Sequence, residues 1–121
     1  MTHESRMFVP LATKPYQWFQ GGKKRWELRK YGRQYTKNNV RPGRRVELRR
    51  GYADANRALW GTIVNVELTQ DVEQFFDRVS FKEVIPNAGS REEAITAATA
   101  ILRMCEDSSE PVLGFEVSLD R

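Results

Sequence analysis

Gly22, Lys24, Glu27 and Arg29 stand in the spacing G-x-K-x-x-E-x-R, inside the stretch Gly21-Gly22-Lys23-Lys24-Arg25-Trp26-Glu27-Leu28-Arg29. An ammonium that leaves a glycine turn can reach into a cleft and hold a phosphate there. With its pKa lowered by burial or by cations such as Lys23 and Arg25, it can instead act as a base or nucleophile. Glu27 is one of only three acids between residues 14 and 57, so it is expected to pair with Arg29 or Lys24 across a strand face. A carboxylate held in this way is first a positioning group. It can also accept a hydrogen bond from a base edge, as Glu does from the amino group of cytosine.

The charge around this stretch is segregated. Residues 14–57 carry 14 lysines and arginines against three acids, and residues 58–121 carry five against twelve, so the net +4 hides two opposed halves. A basic half of this size points to an anionic partner, most commonly nucleic acid. The competing reading is a basic face that meets an acidic one within the same fold. Tyr16, Trp18, Trp26, Tyr31, Tyr35 and Tyr52 are interleaved with the basic residues, a pattern suited to stacking unpaired bases at about 1–3 kcal/mol each. Trp26 and Trp60 fall on apolar strand faces and read as core, whereas Trp18, Tyr31 and Tyr35 read as surface. Arg33, Lys37, Arg41, Arg44, Arg45, Arg49 and Arg50 would form the electrostatic approach for a nucleic-acid backbone.

Other chemistries find little support. His3 is the only histidine and lies in a terminus, residues 1–5, that is expected to fray, so no Ser-His or Cys-His pair can be assembled. Cys105 is the only cysteine; it has no disulfide partner or metal-ligand spacing and reads as a small buried apolar side chain. No Walker loop, dinucleotide fingerprint or HExxH occurs, so neither a cofactor nor a metal is expected. No apolar run approaches the roughly 20 residues of a membrane helix, and the first residues lack the apolar core of a signal peptide. The sequence reads as soluble and cytoplasmic.

The 121 residues, 40% hydrophobic and 30% charged, suit a single domain over residues 1–121 with one core. Met7, Val9 and Leu11 alternate with Phe8, Pro10 and Ala12 as a first strand. Thr13 is expected to cap a short helix that places Tyr16 and Phe19 on one face and ends at Gly21-Gly22 in a left-handed cap. From Lys24 the period is two, with Trp26 and Leu28 on one side and Arg25, Glu27, Arg29 and Tyr31 on a charged face. After the Pro42-Gly43 turn, Val46 and Leu48 mark a third strand. Beyond a loop at residues 51–57, Trp60, Thr62, Val64, Val66 and Leu68 form one face of the longest strand. Asp71 and Ser90 are expected to cap two further helices, the second with Ile95, Ala98, Leu102 and Cys105 on one side. A linker at residues 107–111 precedes a last strand through Leu113, Phe115, Val117 and Leu119. This order, without regular strand–helix alternation, indicates an α+β fold, and a small closed barrel fits it.

The spacing of Gly22, Lys24, Glu27 and Arg29 after a helix-ending glycine and before a Pro-Gly turn resembles the ASCH domain family, a branch of the PUA-like barrels. The likeness in element order runs over nearly the whole chain. It implies a small five- to six-stranded mixed β-barrel with three flanking helices, whose cleft takes single-stranded RNA or a nucleotide-like ligand. The expected binding set is Lys23, Lys24, Arg25, Glu27, Arg29, Tyr31, Arg33, Tyr35, Arg45 and Arg49, with RNA or DNA as partner and single-stranded RNA favoured. Relatives described as an N4-acetylcytidine amidohydrolase and as a ribonuclease imply hydrolysis as the alternative, with Lys24, Glu27 and Glu83 as the catalytic residues. Glu83 is preferred to Glu92 and Glu93 because Glu93 suits the capping box of Ser90. The amidohydrolase relative has a threonine where Glu27 stands, so its catalytic set is not reproduced here.

Overall fold

The structure, a computed structural model, describes residues 6–51, 58–104 and 110–120. The terminus at residues 1–5 with His3, the segment with Tyr52, and Cys105 lie outside the described residues. In chain order the elements are β1 (Met7–Leu11), α1 (Thr13–Gln20), β2 (Trp26–Lys30), β3 (Arg45–Arg50), β4 (Leu59–Thr69), α2 (Val72–Arg78), α3 (Arg91–Ile101) and β5 (Val112–Leu119), with a 3-10 turn at Phe81–Glu83. The five strands form one mixed sheet in the order β1-β3-β4-β5-β2. Only the β1–β3 pairing is parallel among these strands. The α+β class with five strands and three helices is as the sequence indicates.

The sheet curls into a half-barrel, and its two edges meet through side chains. Arg29 of β2 donates to the Pro10 carbonyl of β1 at 2.8 Å, and Gln34 in the loop after β2 donates to the Phe8 carbonyl, also at 2.8 Å. Pro10 has no N–H for a strand ladder, which suits it to a sheet edge. Its carbonyl is satisfied by a guanidinium instead.

Each face of the sheet has its own apolar core. Inside the curl lie Met7, Val9, Leu11, Tyr16, Phe19, Val46, Leu48, Ile63, Leu113 and Phe115. The other face packs Trp26, Leu28 and Val112 against Phe75, Phe76, Val84, Ala94 and Ala98 of the helical side. Trp26 and Leu28 are therefore core, as expected, but the opposite face of β2 is not an open charged surface. The curl folds Glu27 over the barrel interior, where it is only 8% exposed.

Several local expectations need correction. Trp60 is 40% exposed, with the Arg6 guanidinium 5.5 Å from its ring centroid. The cause is a register shift in β4 between Ile63 and Asn65. Before the shift Gly61 and Ile63 face the core, and after it Val66 and Leu68 pack there. A bulge exchanges the faces of an alternating strand. Ala12, not Thr13, is the N-cap of α1, and it makes no side-chain cap bond. α3 ends at Ile101 because Arg103 adopts a left-handed φ of 55° while Met104 N–H reaches back to Thr99 at 3.0 Å. The caps at Asp71 and Ser90 form as expected, accepting from Gln74 at 2.8 Å and Glu93 at 3.1 Å.

α2 lies on β5 at Gly114, where an added Cβ would sit 2.2 Å from the fully buried Phe75 ring. Gly114→Ala is expected to destabilise the protein by about 1–3 kcal/mol through overpacking. Urea unfolding should show a lower midpoint at an unchanged slope.

Candidate functional site

The end of α1 aims the site. Lys23 N–H bonds the Trp18 carbonyl at 2.8 Å and Gly22 N–H bonds Phe19 at 3.1 Å, with Gly22 at a φ of 76°. This is a Schellman closure, and glycine suits its left-handed position. Lys24 N–H then bonds Trp18 at 3.1 Å, Arg25 N–H bonds the Glu83 carbonyl at 2.8 Å, and Val117 N–H bonds the Arg25 carbonyl at 2.9 Å. Helix end, 3-10 turn and β5 together fix the backbone on either side of Lys24.

Lys24 is 5% exposed. Its Nζ donates to the Val84 carbonyl at 2.5 Å and lies 3.3 Å from Glu27 Oε1. Glu27 Oε2 accepts from Arg29 Nη2 at 2.7 Å, and the same nitrogen donates to Pro10 at 2.8 Å. A continuous polar chain thus runs from Val84 through Lys24, Glu27 and Arg29 to the opposite sheet edge. Below it the Arg29 guanidinium lies 5.1 Å from the Tyr35 ring, which stacks on Phe115 at 6.2 Å.

Burial depresses the Lys24 pKa; the Glu27 charge opposes that shift without cancelling it, and Arg29 adds to it. For Glu27, burial alone would raise the pKa, but the charges and hydrogen bonds of Lys24 and Arg29 hold it below the ordinary carboxylate value. Two oxygens engage the Lys24 ammonium, and a lysine has three N–H donors. One donor therefore remains beyond these two oxygens, and the Nζ also lies 5.4 Å from the Phe19 ring centroid.

These three side chains line a cavity of about 270 Å³ whose walls are apolar, formed by Pro10, Pro15, Trp18, Val84, Ile101 and Leu102. The spacing of the motif marks its ionic floor. The walls carry no such signal, since Val84 acts through a backbone carbonyl and Ile101 arrives from a distant helix. The remaining candidates lie elsewhere. Lys23 is exposed beside the glycine turn, and Arg33 is exposed in the turn after β2. The Arg25 side chain is 54% exposed and pairs with Glu116 at 2.9 Å. Tyr35 is half-buried beneath Arg29, and Tyr31 lines a separate recess. Arg45 pairs with Asp120 at 2.5 Å, and Arg49 pairs with the buried Glu47 at 2.7 Å. Glu83 does not line the cavity; its carbonyl anchors Arg25, and its neighbour Val84 receives Lys24.

Among the described residues, no group of three or more His, Cys, Asp or Glu side chains is placed to hold a metal ion, and no helix is long and apolar enough to cross a membrane.

No family model and no curated protein matches the sequence. Solved structures do match in fold. Hypothetical protein PH0355 superposes with a TM-score of 0.75 at 14% identity, over 96% of this chain and 100% of that one. Protein PF0455 from Pyrococcus furiosus gives 0.69 at 15% identity, over 95% and 97%. A point mutant of the ASCH protein from Zymomonas mobilis gives 0.64 at 13% identity, over 94% of this chain and 69% of that one. The fold is therefore ASCH-like.

Ionised Glu27 is expected to stabilise the fold at neutral pH, because it compensates two cations where little water can. Its folded pKa lies below the ordinary 4.5, so this stability is present above that value and is lost as pH falls through the folded pKa. Glu27→Gln is expected to cost about 3 kcal/mol at pH 7. In urea unfolding followed across acid pH, the gap between variant and parent should close as the parent's carboxylate protonates.

Proposed function

We propose that this protein binds single-stranded RNA and seats one unpaired base in the cleft above Lys24, Glu27 and Arg29. The observation that carries this reading is the buried ionic floor beneath apolar walls. At about 270 Å³ the cavity falls just under the roughly 300–1,000 Å³ usual for small-molecule pockets, a size for one heterocycle rather than a length of strand. Trp18 and the prolines offer surfaces to the faces of a base. The Lys24 N–H and the Glu27 carboxylate offer a donor and an acceptor to its edge, the complement of a carbonyl beside an amino group. Lys14, Lys23, Arg33 and Lys37 are exposed and make no ion pair among the described residues, which leaves them for phosphates.

One observation favours a second reading, hydrolysis of a modified nucleoside or of RNA. Burial lowers the Lys24 pKa beside a carboxylate 3.3 Å away, and a neutral amine there could serve as base or nucleophile. Incubation with N4-acetylcytidine, related acylated nucleosides and RNA separates the two readings. Turnover that Lys24→Ala abolishes supports hydrolysis, and turnover unchanged in that variant removes Lys24 from the chemistry.

Anisotropy titration with short single-stranded RNA at about 50 mM salt is expected to show saturable binding that weakens as salt rises. Lys24→Met is expected to weaken it by roughly tenfold or more, the loss of one charge-assisted hydrogen bond. Absence of binding at low salt, or indifference to salt, overturns the proposal.

A further inference from the structure

A second recess lies at the far end of β2. Tyr31 follows β2 directly, and at about 3.3 Å per residue it stands roughly 13 Å beyond Glu27. Tyr31 is 41% exposed, yet its backbone is fixed by an N–H bond of 3.1 Å to the Pro111 carbonyl. A tight turn follows at once, with Gly32 and Tyr35 exchanging backbone bonds of 3.0 and 2.8 Å. The register explains what gathers here. Lys30 pairs with Val112 and Val112 with Thr69, so Tyr31, Pro111 and Gln70 come next, abreast at the end of the sheet. With Leu68, Gln74 and Arg78 they line a recess of about 560 Å³.

Its chemistry differs from that of the ionic cleft. Arg78 is already engaged with Glu67 at 3.2 Å, so the recess carries little net charge. Gln74 Oε1 accepts from the Gln70 backbone N–H at 2.8 Å, which leaves the Gln74 side-chain NH2 as a donor. The Gln70 side-chain amide has no hydrogen-bond partner among the described residues. An exposed ring with apolar neighbours accepts the face of a base, and side-chain amides can read its donor–acceptor edge, as Asn and Gln do with adenine. A neutral recess of this kind suits a base better than a phosphate.

We propose that this recess is a second base subsite for the same RNA strand, with Tyr31 as its stacking platform. The inference rests on the reading of the cleft as a base site. A mononucleotide then fills only the cleft, whereas an oligonucleotide spans both positions and binds more tightly.

The test is a set of titrations with a mononucleotide and with single-stranded RNAs of about two to eight nucleotides, using the parent protein, Tyr31→Ala, Tyr31→Phe and Lys24→Met. Affinity is expected to step up with length in the parent protein. Tyr31→Ala should weaken the longer RNAs by roughly 5- to 100-fold, the loss of one stacked base, and leave the mononucleotide unaffected. Tyr31→Phe should bind as the parent does. A parent protein that binds mononucleotide and octamer equally, or a Tyr31→Ala variant that binds the octamer as the parent does, overturns the second subsite and leaves the cleft standing if Lys24→Met still weakens binding. A parent protein that binds no RNA at low salt overturns both.

Discussion

The half-barrel depends on how three ions are accommodated where its edges meet. Lys24 and Glu27 are buried, and ions withdrawn from water each carry a penalty of several kcal/mol unless partners replace the lost hydration. Here replacement is arranged end to end, with Val84 beneath Lys24, Glu27 between two cations, and Pro10 at the far side of Arg29. Of these contacts the Arg29–Pro10 bond is the one that crosses between the sheet edges, so it ties the compensation of Arg29 to the spacing of β2 and β1. Well-packed apolar side chains could fill such a seam at equal or better stability, so stability alone gives no reason for ions at this position. The base proposed for the cleft, which needs a donor and an acceptor at the bottom of an apolar cavity, would give one.

The fold also redistributes the charge that the sequence segregates. β5, from the acidic half, lies between β2 and β4, and its neighbourhood supplies Glu116 to Arg25, Glu110 to Lys30 and Asp120 to Arg45. Exposed pairs of this kind add little to stability because water and salt screen them. Their larger effect is on binding, because a paired arginine must give up its carboxylate before it can serve a phosphate. The cations without such partners are fewer than the count of basic residues suggests. In the proposed reading, affinity would then come more from seated bases than from charge.

Local signals in the sequence were realised where neighbours along the chain decide the outcome. The caps at Asp71 and Ser90, the left-handed Gly22 and the alternation of Met7, Val9 and Leu11 each need only a few adjacent residues. What was not legible is set by contacts distant in sequence. Alternation in β2 separates Glu27 from Leu28 but does not say that Glu27 will be buried between Lys24 and Arg29. In β4 one bulge reverses the faces, so Trp60 is turned out although its pattern is apolar. The Val84 carbonyl that receives Lys24 lies 60 residues away along the chain, and a carbonyl leaves no mark in residue types. The Glu83 carbonyl that anchors Arg25 is likewise invisible in residue types.

The residue at position 27 bears most directly on whether this cleft binds or reacts. Burial pulls the Lys24 pKa down, and the Glu27 charge is the largest effect that pushes it back up. An uncharged residue there could offer a hydrogen bond but no charge, so a buried lysine beside it would lose its proton more readily. A glutamate that is itself held ionised by Lys24 and Arg29 opposes that loss without cancelling the effect of burial. The same carboxylate places an acceptor on the cleft floor beside the Lys24 donor. In the proposed reading this pair meets the edge of a base.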